Sequence, residues 1–199
     1  MGIIRVGLVC YNIYMQDDTK TILEKIKKWS GKITATRFLI EGEEAEKLQT
    51  MLANAVEIPF SEFDKSFTKL KELCQFKEEV CYNQIVASGR EVFSRRLNNE
   101  LTYTGVINYG LLGTGSAAVN DADTVLDNEV KRKAVATRSR VGNTVTLRFF
   151  YSKSDISGTF PEFGTVIDGT ASVDTGVLFN RALTGGWDKS SLEALTVTV

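Results

Sequence analysis

From residue 101 to the carboxy terminus, short runs of β-branched and aromatic residues are broken at regular intervals by Gly, Asn, Asp or Thr. Within them Thr144-Val145-Thr146-Leu147-Arg148-Phe149 and Leu195-Thr196-Val197-Thr198-Val199 alternate strictly. A period of two places successive side chains on opposite sheet faces, so one face packs while the other meets water. Strands are predicted near 103–112, 132–138, 142–151, 160–168, 176–184 and 191–199. Turns are expected at Gly113–Asn120, Gly142-Asn143, Asp168-Gly169-Thr170 and Gly185-Gly186. Regular spacing of such strands predicts an antiparallel β-sandwich over 101–199.

The first hundred residues follow a different rule. They hold five of the 16 glycines and read as longer elements. Ile3–Tyr14 is an apolar run suited to a buried strand, and Asp17 or Asp18 is placed to cap a helix over Thr19–Trp29 that stops at Gly31. Thr34–Ile40 alternates as a strand. Glu43–Ala55 carries Ala45, Leu48, Met51 and Leu52 on one helical stripe, with early glutamates at the positive end of the helix dipole. Val56–Pro59 suits a short strand, and Ser61-Glu62-Phe63-Asp64 has the spacing of a capping box before a helix presenting Phe63, Phe67, Leu70 and Leu73. Glu79–Gln84 reads as extended and Ile85–Leu97 as helical. The fold class expected is α+β, with a small α/β module in 1–80, a linking helix in 81–100 and the sandwich in 101–199.

Composition narrows function. A formal net charge of −1 supplies no global attraction for phosphate backbones, so no nucleic-acid partner is expected. No run reaches the ~20 apolar residues of a membrane-spanning helix, and Met1–Tyr14 lacks a small-residue cleavage site, so neither a membrane anchor nor a signal peptide is expected. Cys10, Cys74 and Cys81 are odd in number and lack zinc spacing. Histidine is absent, which removes the commonest general base and transition-metal ligand. No cofactor, metal or catalytic residue is assigned.

Several clusters admit more than one reading. Gly110-Leu111-Leu112-Gly113-Thr114-Gly115-Ser116 superficially suggests a phosphate loop, but no Lys precedes the hydroxyl, and a strand-ending turn is the plainer reading. Asp121, Asp123, Asp127 and Asn128 offer oxygens for Ca²⁺ without the twelve-residue loop spacing. Glu129 and Glu162 invite comparison with an acid and base pair. Glu162 lies between Phe160 and Phe163, which favours instead a partly buried ion pair with Arg132 or Arg181 that fixes strand register. Arg138, Arg140 and Arg148 form a basic stripe if they share a face, and Tyr103, Tyr109, Phe149, Phe150, Tyr151 and Trp187 divide between core packing and sugar stacking.

Residues from about 83 to 199 resemble a module of tailed-bacteriophage structural proteins found in tails, tail fibres and baseplates. The resemblance runs in order through Asn83–Arg90 with Arg96-Leu97, Ile107–Gly115, Asp123–Arg132, Pro161–Gly164, Asp174–Ala182 and Lys189–Val197. Residues 1–80 lie outside it. It implies a non-enzymatic virion component, made in the host cytoplasm, whose partners are copies of itself and other virion proteins. A second reading is a receptor-binding module for a host surface glycan, using turns marked by Gly113, Thr114, Asp168 and Trp187. A third is an enzyme in residues 1–80 using Asp17, Asp18 or the Glu41–Glu46 cluster, acids that more simply cap and solvate helices.

Overall fold

The chain closes its first sheet by pairing its first described strand with its last. A computed structural model describes residues 31–199; the strand, helix and cap expected within 3–29 lie outside those residues. In chain order the described elements are β1 (Lys32–Leu39), α1 (Glu43–Ala53), α2 (Phe60–Leu73), β2 (Phe76–Tyr82), β3 (Gln84–Ile85) and α3 (Ala87–Leu97). They continue with β4 (Ile107–Gly113), β5 (Glu129–Ala134), β6 (Thr137–Val141), β7 (Thr144–Tyr151), β8 (Gly158–Ile167), β9 (Val177–Lys189) and β10 (Glu193–Thr198). This is an α+β fold with two antiparallel five-stranded sheets, ordered β2-β1-β10-β7-β6 and β3-β9-β8-β4-β5.

The alternating strands explain the layering. In β7, Leu147, Phe149 and Tyr151 point between the sheets, where they meet Leu112, Phe163, Ala182 and Trp187 of the second sheet. The Phe149 and Phe163 rings lie 6.0 Å apart, and Phe163 and Trp187 lie 5.8 Å apart. Phe150, one residue out of phase, faces the other way and joins Phe38 and Ala194 under Ala45, Leu52, Phe63, Phe67 and Leu70 of α1 and α2. Phe38 meets Phe67 edge to face at 5.5 Å. Val92 of α3 packs on Ile167 and Phe179 at the outer face of the second sheet. Gly89 brings α3 so close to β9 that an added Cβ would stand 2.9 Å from the Phe179 Cα.

The expected division at residues 80 and 100 is not followed. Thr34 of β1 pairs with Thr198 of β10 on one side and with Val80 of β2 on the other, which puts the supposed α/β strands inside a sheet of the sandwich. Residues 31–199 therefore form one compact unit, and α3 is a packed layer rather than a linker. The chain changes sheets at two corners. Asn83 separates β2 from β3 and exchanges backbone and side-chain hydrogen bonds with Gly31. Val135 and Ala136 separate β5 from β6, their N–H groups donating to the carbonyls of Asn108 and Arg148.

Local details differ as well. The helix expected to start at Glu62 behind a Ser61 cap begins two residues earlier, behind Pro59, with no side-chain cap bond, so Ser61 lies inside it. Val56–Pro59 is not a strand; Glu57 and Ile58 instead donate backbone bonds to Val135 and Ala136. The single strand expected over 132–138 is two, one in each sheet. Gly185 and Gly186 take positive φ angles of 77° and 94°, yet β9 runs through them to Lys189 rather than turning. A register shift between Phe160 and Glu162 absorbs the extra residues as a bulge.

Candidate functional site

The outer face of the second sheet carries a fully buried carboxylate. Glu162, at 0% exposure on β8, accepts hydrogen bonds from the backbone N–H groups of Gly115 (3.0 Å), Asp127 (3.1 Å) and Asn128 (2.8 Å). Arg181 on the neighbouring β9 completes the set, with its Nε and Nη2 each 2.8 Å from Glu162 Oε2. The same guanidinium reaches Asp123 Oδ2 at 2.8 Å and the Ala117 carbonyl at 3.1 Å. Together these groups hold the long connection from β4 to β5 against the sheet. Gly113 and Gly115 leave room for the carboxyl; a Cβ on Gly115 would stand 2.5 Å from Glu162 Oε1.

Arg181, and not Arg132, is thus the partner of Glu162. Arg132 forms a bidentate pair with Glu129 at 2.6 Å through both Nε and Nη2. Its Nη1 donates to the Thr170 carbonyl (2.8 Å) and to the Thr175 hydroxyl (2.8 Å), clamping the turn between β8 and β9. Strict alternation would set residues 129 and 132 on opposite faces. A register shift at Leu112/Gly113 brings them to the same one.

The residues expected to mark interaction loops separate into buried and exposed. Trp187 has 0% exposure and packs in the sandwich interior, so it is core and cannot serve as a surface platform. Gly113 is buried beneath Glu162 for the reason given above. Thr114 is exposed, its hydroxyl accepting from Asn128 Nδ2 at 2.5 Å. Asp168, at φ 56°, is partly exposed and accepts from the Thr104 N–H at 2.8 Å and from its hydroxyl, tying the segment before β4 to the turn. Phe149, Phe150 and Tyr151 are likewise buried.

The carboxylates considered for chemistry are engaged in holding the chain. Glu129 and Glu162 each face an arginine. Asp121 pairs with Arg90 at 2.6 Å, and that guanidinium holds its carboxyl below the ordinary range. Asp127 accepts from the N–H groups of Ser116 and Ala117. The basic stripe is divided: Arg138 and Arg140 stand opposite Leu147 and Val145, whereas Arg148 stands opposite Thr137 and faces the helices. There its guanidinium lies 4.6 Å from the Phe60 ring and 4.8 Å from the Phe67 ring, and 2.8 Å from Asp64 Oδ1.

Two charged groups, one partly and one fully buried, carried no recognisable signal in the sequence. Asp155 receives Lys131 at 3.2 Å and Lys133 at 2.9 Å. Burial pushes its carboxyl up, but hydrogen bonds from Lys133 and Ser152 outweigh that and hold it low. Lys189, at 2% exposure, donates to the Ile156 carbonyl at 2.6 Å, and burial lowers its ammonium to about 8.

Among the described residues, both sheets end in edge strands. The second sheet ends in the two-residue β3 and in β5, whose Lys131 and Lys133 blunt it. The first sheet ends in β2 and β6, and among the described residues no strand pairs with the outer side of either. Along β2, Phe76, Val80 and Tyr82 are exposed; on β6, Val141 is 78% exposed. Compared with known proteins, the chain matches no family model, no curated sequence and no solved structure.

Proposed function

We propose that this chain is a non-enzymatic structural protein of a tailed-phage particle, a tail, baseplate or neck component that acts by assembling with copies of itself and with other virion proteins. The supporting observation is where the phage-like sequence blocks fall. Gly113 to Gly115, Asp123 to Arg132, Glu162 and Arg181 belong to the ordered blocks, and these residues build the two arginine staples that fix the long connections. Residues with that role produce a rigid surface of defined shape, which is what repetitive assembly needs, and their carboxylates Glu129 and Glu162 are each engaged by an arginine.

The first sheet supplies the complementary argument. Two edge strands that no described strand covers are a means of contact for a subunit. The glycan-receptor alternative loses ground because Trp187 and Gly113 are buried.

Light scattering on the purified full chain tests this reading. A defined oligomer is expected. A strictly monomeric species that binds bacterial cells would instead support the receptor alternative.

A further inference from the structure

We infer that Asp168-Gly169 is a site of covalent self-modification, the isomerisation of Asp168 to an isoaspartyl link, which Asn108 and Thr104 hold in check while the turn between β8 and β9 stays closed. It is the one Asp-Gly pair in the 199 residues, and the sequence contains no Asn-Gly pair. The inference is independent of the assembly reading.

The chemistry needs only the chain and water. The Gly169 backbone nitrogen attacks Cγ of the Asp168 carboxylic acid; an N–Cγ bond forms, a Cγ–O bond breaks, and the hydroxyl leaves as water with the amide proton. The resulting five-membered succinimide then takes up one water. Opening at Cγ restores aspartate, whereas opening at the former backbone carbonyl leaves the main chain running through Cβ and Cγ. One water leaves and one enters, and nothing is oxidised or reduced. Glycine favours ring closure because no Cβ obstructs the approach of its nitrogen and its backbone turns freely.

The folded turn withholds both reacting groups. Gly169 donates its N–H to Asn108 Oδ1 at 2.9 Å, and Asn108 Nδ2 donates to the Gly169 carbonyl at 2.7 Å. Turning the nitrogen onto Cγ breaks the first of these bonds. Asp168 Oδ2 accepts from the Thr104 N–H at 2.8 Å and Oδ1 accepts from the Thr104 hydroxyl, so each carboxyl oxygen, one of which must depart, is held. The next residue is fixed as well. Thr170 donates its N–H to Thr175 Oγ1 at 2.9 Å, and its carbonyl accepts from Arg132 Nη1 at 2.8 Å.

Space is short at the same point. A Cβ on Gly169 would stand 2.8 Å from Val166 Cγ2, and a Cβ on Gly176 would stand 2.7 Å from Gly169 Cα. The isoaspartyl link adds one atom to the main chain here, so the bonds to Asn108 and Arg132 cannot all be kept. Isomerisation therefore requires the turn to open locally, and the Asn108 clamp sets how often it does.

Ageing the full chain in warm, mildly acidic buffer tests this. Endoproteinase Asp-N cuts before aspartate and not before isoaspartate, so loss of cleavage between Ile167 and Asp168 reads the modification at this residue. The chain unfolded in urea is expected to isomerise here, and the folded wild type to do so slower by about tenfold or more. Folded Asn108→Ala is expected to isomerise about tenfold faster than folded wild type, because both hydrogen bonds that clamp Gly169 are gone. Thr104→Ala, which keeps the backbone bond and loses the hydroxyl, is expected to accelerate by a smaller factor and decides the matter on the same terms if Asn108→Ala does not fold. Gly115→Ala, which strains a different connection, controls for general destabilisation and is expected to keep the wild-type rate. No isoaspartate in urea overturns the site. A folded rate equal to that in urea, an Asn108→Ala rate equal to that of wild type, or an equal acceleration in Gly115→Ala overturns the guard.

Discussion

Replacing Glu162 with alanine removes the acceptor for three backbone N–H groups and for the Arg181 guanidinium, whose side chain is 3% exposed. The guanidinium keeps Asp123 and the Ala117 carbonyl but loses its fully buried partner, and the three amides lose their shared acceptor with it. Breaking a buried pair from one side costs about 3–5 kcal/mol. For a chain of this size each kcal/mol moves the melting temperature by about 2–4 °C, so a fall of about 6–20 °C is expected by differential scanning calorimetry. Arg181→Met in the same background should cost far less than it does alone, since the carboxylate that needed it is gone. A melting temperature within about 2 °C of wild type, the range of an ordinary surface substitution, would falsify the staple.

Three further outcomes follow from other sites. Gly115→Ala forces a Cβ against the Glu162 carboxyl at 2.5 Å and should destabilise by about 1–3 kcal/mol in urea unfolding; no change in midpoint would mean the connection is not held where described. Lys189 titrates at about 8 in the folded chain, below its ordinary 10.5, so the unfolded chain binds more protons between those values and stability rises with pH across that window. Relative to Lys189→Met, wild type should gain stability from pH 8 to 10.5 and show a constant deficit below pH 8; parallel profiles would contradict the buried ammonium. Arg148→Met removes a cation from the faces of Phe60, Phe63 and Phe67 and should cost about 1–2 kcal/mol, with hydrogen exchange accelerating in α2 ahead of the sheets; unchanged exchange there would refute its role in docking that helix.

The sandwich was legible because its strands declare a period of two. Leu147, Phe149 and Tyr151 on one side and Phe150 on the other can be assigned to opposite faces before any partner is known. The partner was not legible. Thr34–Ile40 reads correctly as a strand, but nothing local says that Thr34 meets Thr198, so the first hundred residues looked like a separate module. Bulges defeated the rest. Gly185-Gly186 has turn composition and lies within a continuous strand, hiding that Trp187 is core. The shift at Leu112/Gly113 reunites Glu129 with Arg132, leaving Arg181 to Glu162.

The proposal that this chain is a particle component is tested most directly by mass spectrometry of purified tailed-phage particles from a producing cell. The account predicts peptides of residues 31–199 in the particles at a fixed ratio to known tail proteins, retained through density-gradient purification. Intact particles lacking the chain, with all of it left in the soluble lysate, would contradict the account.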